Sequence, residues 1–562
     1  MLNLFSQKSN KILLALVLLA IFLRLWGLAQ VGLQNDAAVN SVRAVGWFDF
    51  LAGKEQTSPL VWFGHIPWWA NLSFHDHPPL VYFIQFVFFR LFGATSLIAL
   101  LPFALAGIFT LFVLYFLLKL ADSEATGLLA AAIFTVSSYA TWITRTGYLE
   151  GVEILFIAGA VYFLVKYTKE QQGRYLYLLF TSCGLALISK YTAVFLLPAV
   201  ILFFLIWRRN IFKKKEFWLS LLLLLTIVSP VIFYNIMVFR YRGHFDAAFS
   251  SMIGMNPSDY QTLSYRHINF NALSNIKELV LVLYRNNSWP WFVGYFLALA
   301  FGLWQLVTKK DSWLIKFSTL AMITIILMYL VTPTAPRFLS IVLPFFCINA
   351  ALATKTWYKK IFTIFYARAF IVLLVILFLF ELFYNFNTNV FRSPVGRPNV
   401  DYSASRFYDN GFEALHKYIR QNIFSTLPSF RRISSLSPET TQLNLTGGSV
   451  VLFDERVDWF SRMWYIDRYI FYYNLPIVFL TDLENSLPIG QTNGLTYLGR
   501  AGVKDFWLVS ATGPGIISRD NESYNSLING FEQEMTKDGI LPVEIKNYNN
   551  QSVFKIYHFK IN

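Results

Sequence analysis

In the stretch "LSFHDHPPLVYFIQ", His75, Asp76 and His77 stand directly before a double proline and an apolar run. Two imidazoles and a carboxylate can exchange protons, hydrogen-bond an anion or a hydroxyl, or ligate a divalent ion. Alternate residues of an extended segment share a face, so His75 and His77 can act together. No HExxH or Cys spacing accompanies them, which makes metal the weaker reading, and no cofactor is required. Asp36, in "GLQNDAAVNSVRAVGWFDF", has Arg43 seven residues on. That is two helical turns later on the same face. The pair is either an N-cap with a snorkelling Arg or a carboxylate with a cation beside it. Arg145 and Glu150 lie five apart across a turn containing Gly147, with Glu153 one helical turn further. An ion pair is the structural alternative there. Lys190, Tyr234-Asn235 and Arg337 sit at the ends of other apolar stretches. Together these groups offer a base for a hydroxyl proton and cations for a departing anion.

The elements that must position them are helices in a bilayer. The 562 residues are 56% hydrophobic and 14% charged, against about 25% charged in ordinary soluble domains. Residues 385–562 carry 17 Lys+Arg and 17 Asp+Glu, so the whole net charge of +15 lies in residues 1–384. An excess confined to the apolar half reads as a positive-inside bias, not as nucleic-acid binding. A bilayer core needs about 20 apolar residues per helix. Eleven segments are candidates, 12–30, 95–118, 126–143, 151–167, 175–189, 192–207, 217–238, 289–308, 314–333, 338–354 and 361–384.

The basic loops holding Lys8, Lys119, Lys169, Lys213–Lys215, Lys309 and Lys355 all fall on one side under this assignment, which is then the cytoplasm. The condition is that the 13-residue run Leu80–Phe92 does not cross but lies at the interface. The N-terminus is then cytoplasmic in a multi-pass plasma (inner) membrane protein. Residues 31–94 and 239–288 become outer loops of a catalytic domain spanning 1–384. Beyond a linker, residues 385–562 alternate β-rich runs ("SVVLFDE", "LPIVFL", "DFWLVSA", "SVFKIYHF") with helical patterns ("FEALHKYIRQ", "SLINGFEQEM"). That alternation argues an extracytoplasmic α/β domain. Cys183 and Cys347 both fall in apolar segments and say nothing of redox compartment.

The order of motifs is similar to that of a known family. An acid follows helix one, then "PPL" opens an interfacial helix. Next come Arg145-x-x-x-x-Glu150, Lys190-Tyr191, Pro230-x-x-x-Tyr234-Asn235 and Pro336-Arg337-Phe338-Leu339. Over roughly residues 10–355 the chain resembles the GT-C glycosyltransferases of the protein O-mannosyltransferase and aminoarabinose transferase type. The resemblance implies a GT-C fold and transfer of a sugar from a polyprenyl-phosphate donor to an acceptor outside the cytoplasm, with inversion. Asp36 would be the general base. Arg43, Lys190, Arg337 and His75 or His77 would stabilise phosphate. Asp76, Arg145 and Glu150 would help bind donor, and Tyr234 and Asn235 would contact substrate. The sequence departs from the family where Asp36-Ala37 replaces Asp-Glu, where His75 and His77 stand in place of a Lys, and where Glu150 replaces Asp. Two other readings remain, a polymerase or ligase using a polyprenyl-diphosphate donor, and a lipid transporter. Transporters hold ionisable groups near the midplane, often in inverted repeats, and no repeat is visible here.

Overall fold

The computed structural model describes residues 2–45, 63, 67–70, 77–255, 257–260, 272–308, 313–332, 335–360, 364–391, 409–427, 448–473, 475–480, 498–499, 502–512, 516–517 and 522–560. The chain divides into two compact units, Met1–Leu28 with Pro67–Phe407, and Ala29–Ile66 with Tyr408–Asn562. Chain order suggested that residues 31–94 belong wholly with the membrane half. Their first part instead groups with the C-terminal unit.

The first unit is helical, and among the described residues each of the eleven apolar segments overlaps a helix. Among the described residues six helices are long and apolar enough to cross a membrane, or seven if a bent pair counts as one. Leu80–Phe92 is a 13-residue helix with the bounds of its apolar run. At 1.5 Å per residue it reaches about 20 Å, short of a core about 30 Å thick. Its buried Gln85 donates to the Ala99 carbonyl at 2.9 Å, which fastens it to the helix Ser96–Ala121. Small residues let helices approach where lipid supplies no hydrophobic drive. A Cβ on Gly127 would stand 2.5 Å from the Tyr115 carbonyl, so Ser96–Ala121 and Glu124–Val136 pack backbone to backbone there.

The bent pair, Glu124–Val136 and Ser138–Arg145, turns by 63° at Ser137. Serine hydroxyls compete for local backbone groups and weaken a helix interior. Here Ser137 instead caps the second half, accepting from Ala140 N at 3.3 Å. A break at membrane depth frees backbone groups that lipid cannot satisfy. The helix Ile364–Asn385 and the π turn Phe386–Val390 that follows it supply the partners. Glu381 accepts from Ser138 N at 2.7 Å and from the Ser288 hydroxyl. Asn385 donates to the Val136 carbonyl at 2.9 Å, and Asn389 to the Ser138 carbonyl at 3.0 Å. Glu381→Leu is expected to strand buried donors at about 1–3 kcal/mol each. A lower thermal midpoint in detergent, with a smaller drop for Glu381→Gln, checks it.

The second unit is built on a five-stranded sheet. Its strands are β1 (Ser449–Phe453), β2 (Ile477–Phe479), β3 (Asp505–Ala511), β4 (Val543–Lys546) and β5 (Ser552–Lys560), in the order β2-β1-β3-β5-β4. β1 runs parallel to both β2 and β3, with Val451 opposite Ile477 and Trp507. Its continuous apolar run suits a central parallel strand buried on both faces. β5 is antiparallel to β3 and β4. Val450, Leu452, Phe506 and Phe559 form the core with Ile528 and Met535 of the helix Glu522–Lys537. Four strands fall on the β-rich runs of the sequence, and β4, "VEIK", does not.

The crossover from β1 to β2 is helical over residues 459–473, with a π turn at Met463–Asp467. The helix Asn35–Val45 packs against its first part. Nearby, His416 on the helix Phe412–Asn422 is buried, and its Nε2 lies 3.0 Å from Arg468 Nη2. A guanidinium only donates, so Nε2 accepts and the ring is neutral. Burial, then the charges of Arg468 and Arg420, hold His416 well below the usual histidine range. The folded pKa is thus depressed below the unfolded value of about 6.5. The stability this site contributes is complete above pH 6.5 and is lost as pH falls below it. The thermal midpoint is expected to fall between pH 7 and pH 5, and His416→Gln to flatten that fall.

Candidate active site

Glu150, Glu153, Lys190 and Arg337 of the first unit converge at three helix ends. The helix Glu150–Glu170 opens with Glu150 and Glu153, both fully buried in its first turn. Free N–H groups at a helix N-terminus favour negative charge. Facing them is the turn between Arg174–Ser189 and the 3₁₀ segment Tyr191–Phe195. Lys190 is extended there (φ −160°, ψ 142°). Its Nζ donates to Glu150 Oε1, and Thr192 donates to Glu153 Oε1 at 2.6 Å. Two residues two apart on an extended turn thus meet two acids one helical turn apart.

Arg337 completes the group. Its Nε lies 3.5 Å from the same Glu150 oxygen, and its guanidinium covers the rings of Tyr148 (5.4 Å) and Phe338 (5.0 Å). Lys190 Nζ sits 4.2 Å from the Phe338 ring centroid. The Arg337 side chain is 28% exposed, against 6% for Lys190 and 1% for Glu150. Arg337 is therefore the open edge of a buried ion cluster. Its turn is pinned by backbone bonds. The Pro336 carbonyl accepts from Tyr139 and from Asn286 at 3.1 Å, and the Phe338 carbonyl from Tyr329 at 3.0 Å.

Other expected residues take different places. Among the described residues Glu150 pairs with Lys190 and Arg337, which replaces the Arg145–Glu150 ion pair that spacing suggested. Arg145 instead donates to the carbonyls of Leu23 (2.7 Å) and Trp26 (2.9 Å), closing the C-terminal end of the first helix. Tyr234 is fully buried, its ring centroid 5.9 Å from that of Trp69. Asn235 exchanges two bonds with Asp246, at 2.8 and 2.9 Å, and donates to the Tyr191 hydroxyl at 3.2 Å. These contacts give Asn235 a positioning part, since they anchor the residue next to Lys190.

His75 and Asp76 lie outside the described residues, and His77 is half-buried before Pro78. Among the described residues no three His, Cys, Asp or Glu side chains converge as metal ligands. Asp36 and Arg43 belong to the second unit. Asp36 is half-buried in the first turn of Asn35–Val45, and Arg43 is buried in its last turn.

Sequence reasoning missed Asp246, which caps the helix Ala247–Met252 through Phe249 N at 2.8 Å. The signal was an Asp directly before an Ala-Ala-Phe start. It also missed Asp259, gripped by both arms of Arg242 at 2.7 Å and by His244 at 2.8 Å. Arg242 and His244 hold that carboxyl below the usual range.

Residues 76–234 match the family model described as dolichyl-phosphate-mannose-protein mannosyltransferase. The segment includes Arg145, Glu150 and Lys190 and stops short of Arg337. YycA, a candidate mannosyltransferase of Bacillus subtilis (strain 168), is 33% identical over 154 residues. That match takes in 26% of this chain and 22% of the length of YycA. The structure of ArnT from Cupriavidus metallidurans in the apo state aligns over 99% of this chain and 97% of its own, with TM-score 0.56 and 11% identity. ArnT bound to undecaprenyl phosphate aligns over 99% and 98%, with TM-score 0.55 and 11% identity. Residues 76–234 are thus similar to that mannosyltransferase family, and along its length the chain shares the fold of ArnT.

Proposed function

We propose that this protein transfers a monosaccharide from a polyprenyl-phosphate-linked donor to an acceptor hydroxyl outside the cytoplasm. The Glu150–Lys190–Arg337 cluster carries the reading, since it holds two cations around one buried carboxylate with a guanidinium edge open. The ArnT structure with undecaprenyl phosphate supports a lipid-phosphate ligand by analogy of fold. In the reaction the acceptor oxygen attacks C1 of the sugar and gives its proton to Asp36. The C1–O bond to phosphate breaks, and polyprenyl phosphate leaves with the electron pair. Lys190 and Arg337 neutralise the charge that develops on the phosphate. A single displacement inverts C1 and needs no carboxylate nucleophile. Arg43 and the histidines before Pro78 assist binding in this scheme.

Eleven crossings, a cytoplasmic N-terminus and an extracytoplasmic C-terminal unit in the plasma membrane belong to the same reading. Six basic loops sharing one side support it. Purified protein given a polyprenyl-monophosphate sugar and, separately, a polyprenyl-diphosphate sugar is expected to transfer from the first. Transfer from the diphosphate alone would favour a polymerase or ligase. Movement of lipid across vesicles without transfer would favour a transporter.

A further inference from the structure

The C-terminal unit holds the Asp36 helix by side-chain hydroxyls. Tyr465 Oη accepts from Leu33 N at 2.7 Å and donates to Glu413 Oε2 at 2.8 Å. A phenol has one proton, so the donation to Glu413 leaves a lone pair for the Leu33 N–H. Phe412 stacks on the Tyr465 ring at 5.6 Å and 20°, and Glu413 follows it in the same helical turn. Gly32, at φ +71°, allows the approach. A Cβ there would stand 2.2 Å from the Tyr465 hydroxyl. At the far end, Tyr472 donates to the Val42 carbonyl at 3.1 Å. Both rings are buried. Asp36 therefore lies between two anchor points, Leu33 and Val42, both gripped from the crossover helix after β1. Tyr465 sits inside the π turn of that helix, a distortion found often at functional sites.

We propose that Tyr465 and Tyr472 are positioning residues that set the Asp36 carboxylate for transfer. The proposal rests on the reading of Asp36 as base. A misplacement of about 1 Å can cost 10²-fold in rate. The two hydroxyls thus act on kcat without touching substrate.

The test compares Tyr465→Phe, Tyr472→Phe and Asp36→Asn in the full chain. Each is assayed for kcat and donor KM with a polyprenyl-phosphate sugar, and for hydrogen exchange. Each phenylalanine variant is expected to lower kcat about tenfold to hundredfold with donor KM unchanged. Exchange should rise over residues 33–45 and stay at the parent level in β1 and β3. A variant that only loosens the fold would lose protection in β1 and β3 and keep the parent kcat per folded molecule. Parent kcat in both phenylalanine variants beside an inactive Asp36→Asn overturns the positioning role. Unchanged exchange over residues 33–45 overturns it too. Normal transfer by Asp36→Asn removes the base assignment instead, and the exchange pattern still decides whether the tyrosines hold the helix. If Tyr465→Phe does not fold, Tyr472→Phe carries the same readouts.

Discussion

Asp36→Asn is expected to insert and fold like the parent chain and to lose transfer by about 10²–10⁴-fold, the range a positioned general base supplies. The substitution replaces one oxygen of the carboxylate with an amide nitrogen of nearly the same size. Hydrogen bonding to the remaining oxygen survives, and basicity does not. Asp36 is half-buried in the first turn of Asn35–Val45, in reach of solvent yet held by a helix whose remaining residues are mostly buried. Asp36→Glu keeps the base but moves it outward by about one methylene, and should retain part of the rate. Single-turnover transfer from a labelled polyprenyl-phosphate sugar measures both variants. A rate for Asp36→Asn near that of the parent chain would reject the assignment.

The second large effect concerns stability. Lys190→Met is expected to destabilise the protein by about 3–5 kcal/mol, because it leaves Glu150 charged and buried. Both side chains are almost wholly enclosed, and Arg337 reaches the carboxylate only at 3.5 Å. Removing both charges, as in Lys190→Met with Glu150→Leu, should recover most of the loss, since apolar replacement of a buried pair is often neutral. Arg337→Gln makes the contrast. Its guanidinium is partly exposed, so little stability goes with it. Donor KM should rise instead, because Arg337 is the more exposed of the two cations that the proposed scheme sets against the phosphate. Thermal unfolding in detergent and donor titration separate the two effects. Equal stability of Lys190→Met and parent would mean that Glu150 does not depend on the pair.

The helices were legible because a bilayer imposes long apolar runs, and Leu80–Phe92 even kept its bounds. The central strands were legible for a related reason, continuous β-branched and aromatic runs such as "SVVLF". β4 escaped because four residues with two charges on an exposed edge carry no such signal. The individual members of the ion cluster were singled out, but not their pairing. Glu150 and Lys190 are 40 residues apart, and Arg337 comes from a third turn. Spacing favoured Arg145 instead, whose guanidinium serves carbonyls about 120 residues upstream. The grip of Tyr465 on Leu33 spans 432 residues and leaves no local trace.

The kink at Ser137 bears on biogenesis. Its unsatisfied amide and carbonyls wait for Glu381, Asn385 and Asn389, which emerge from the ribosome about 240 residues later. Until then these polar groups at the kink lack the partners that the folded chain gives them. A chain cut before Ile364 should accordingly be cleared by membrane proteases, even with every group of the Glu150 cluster already made.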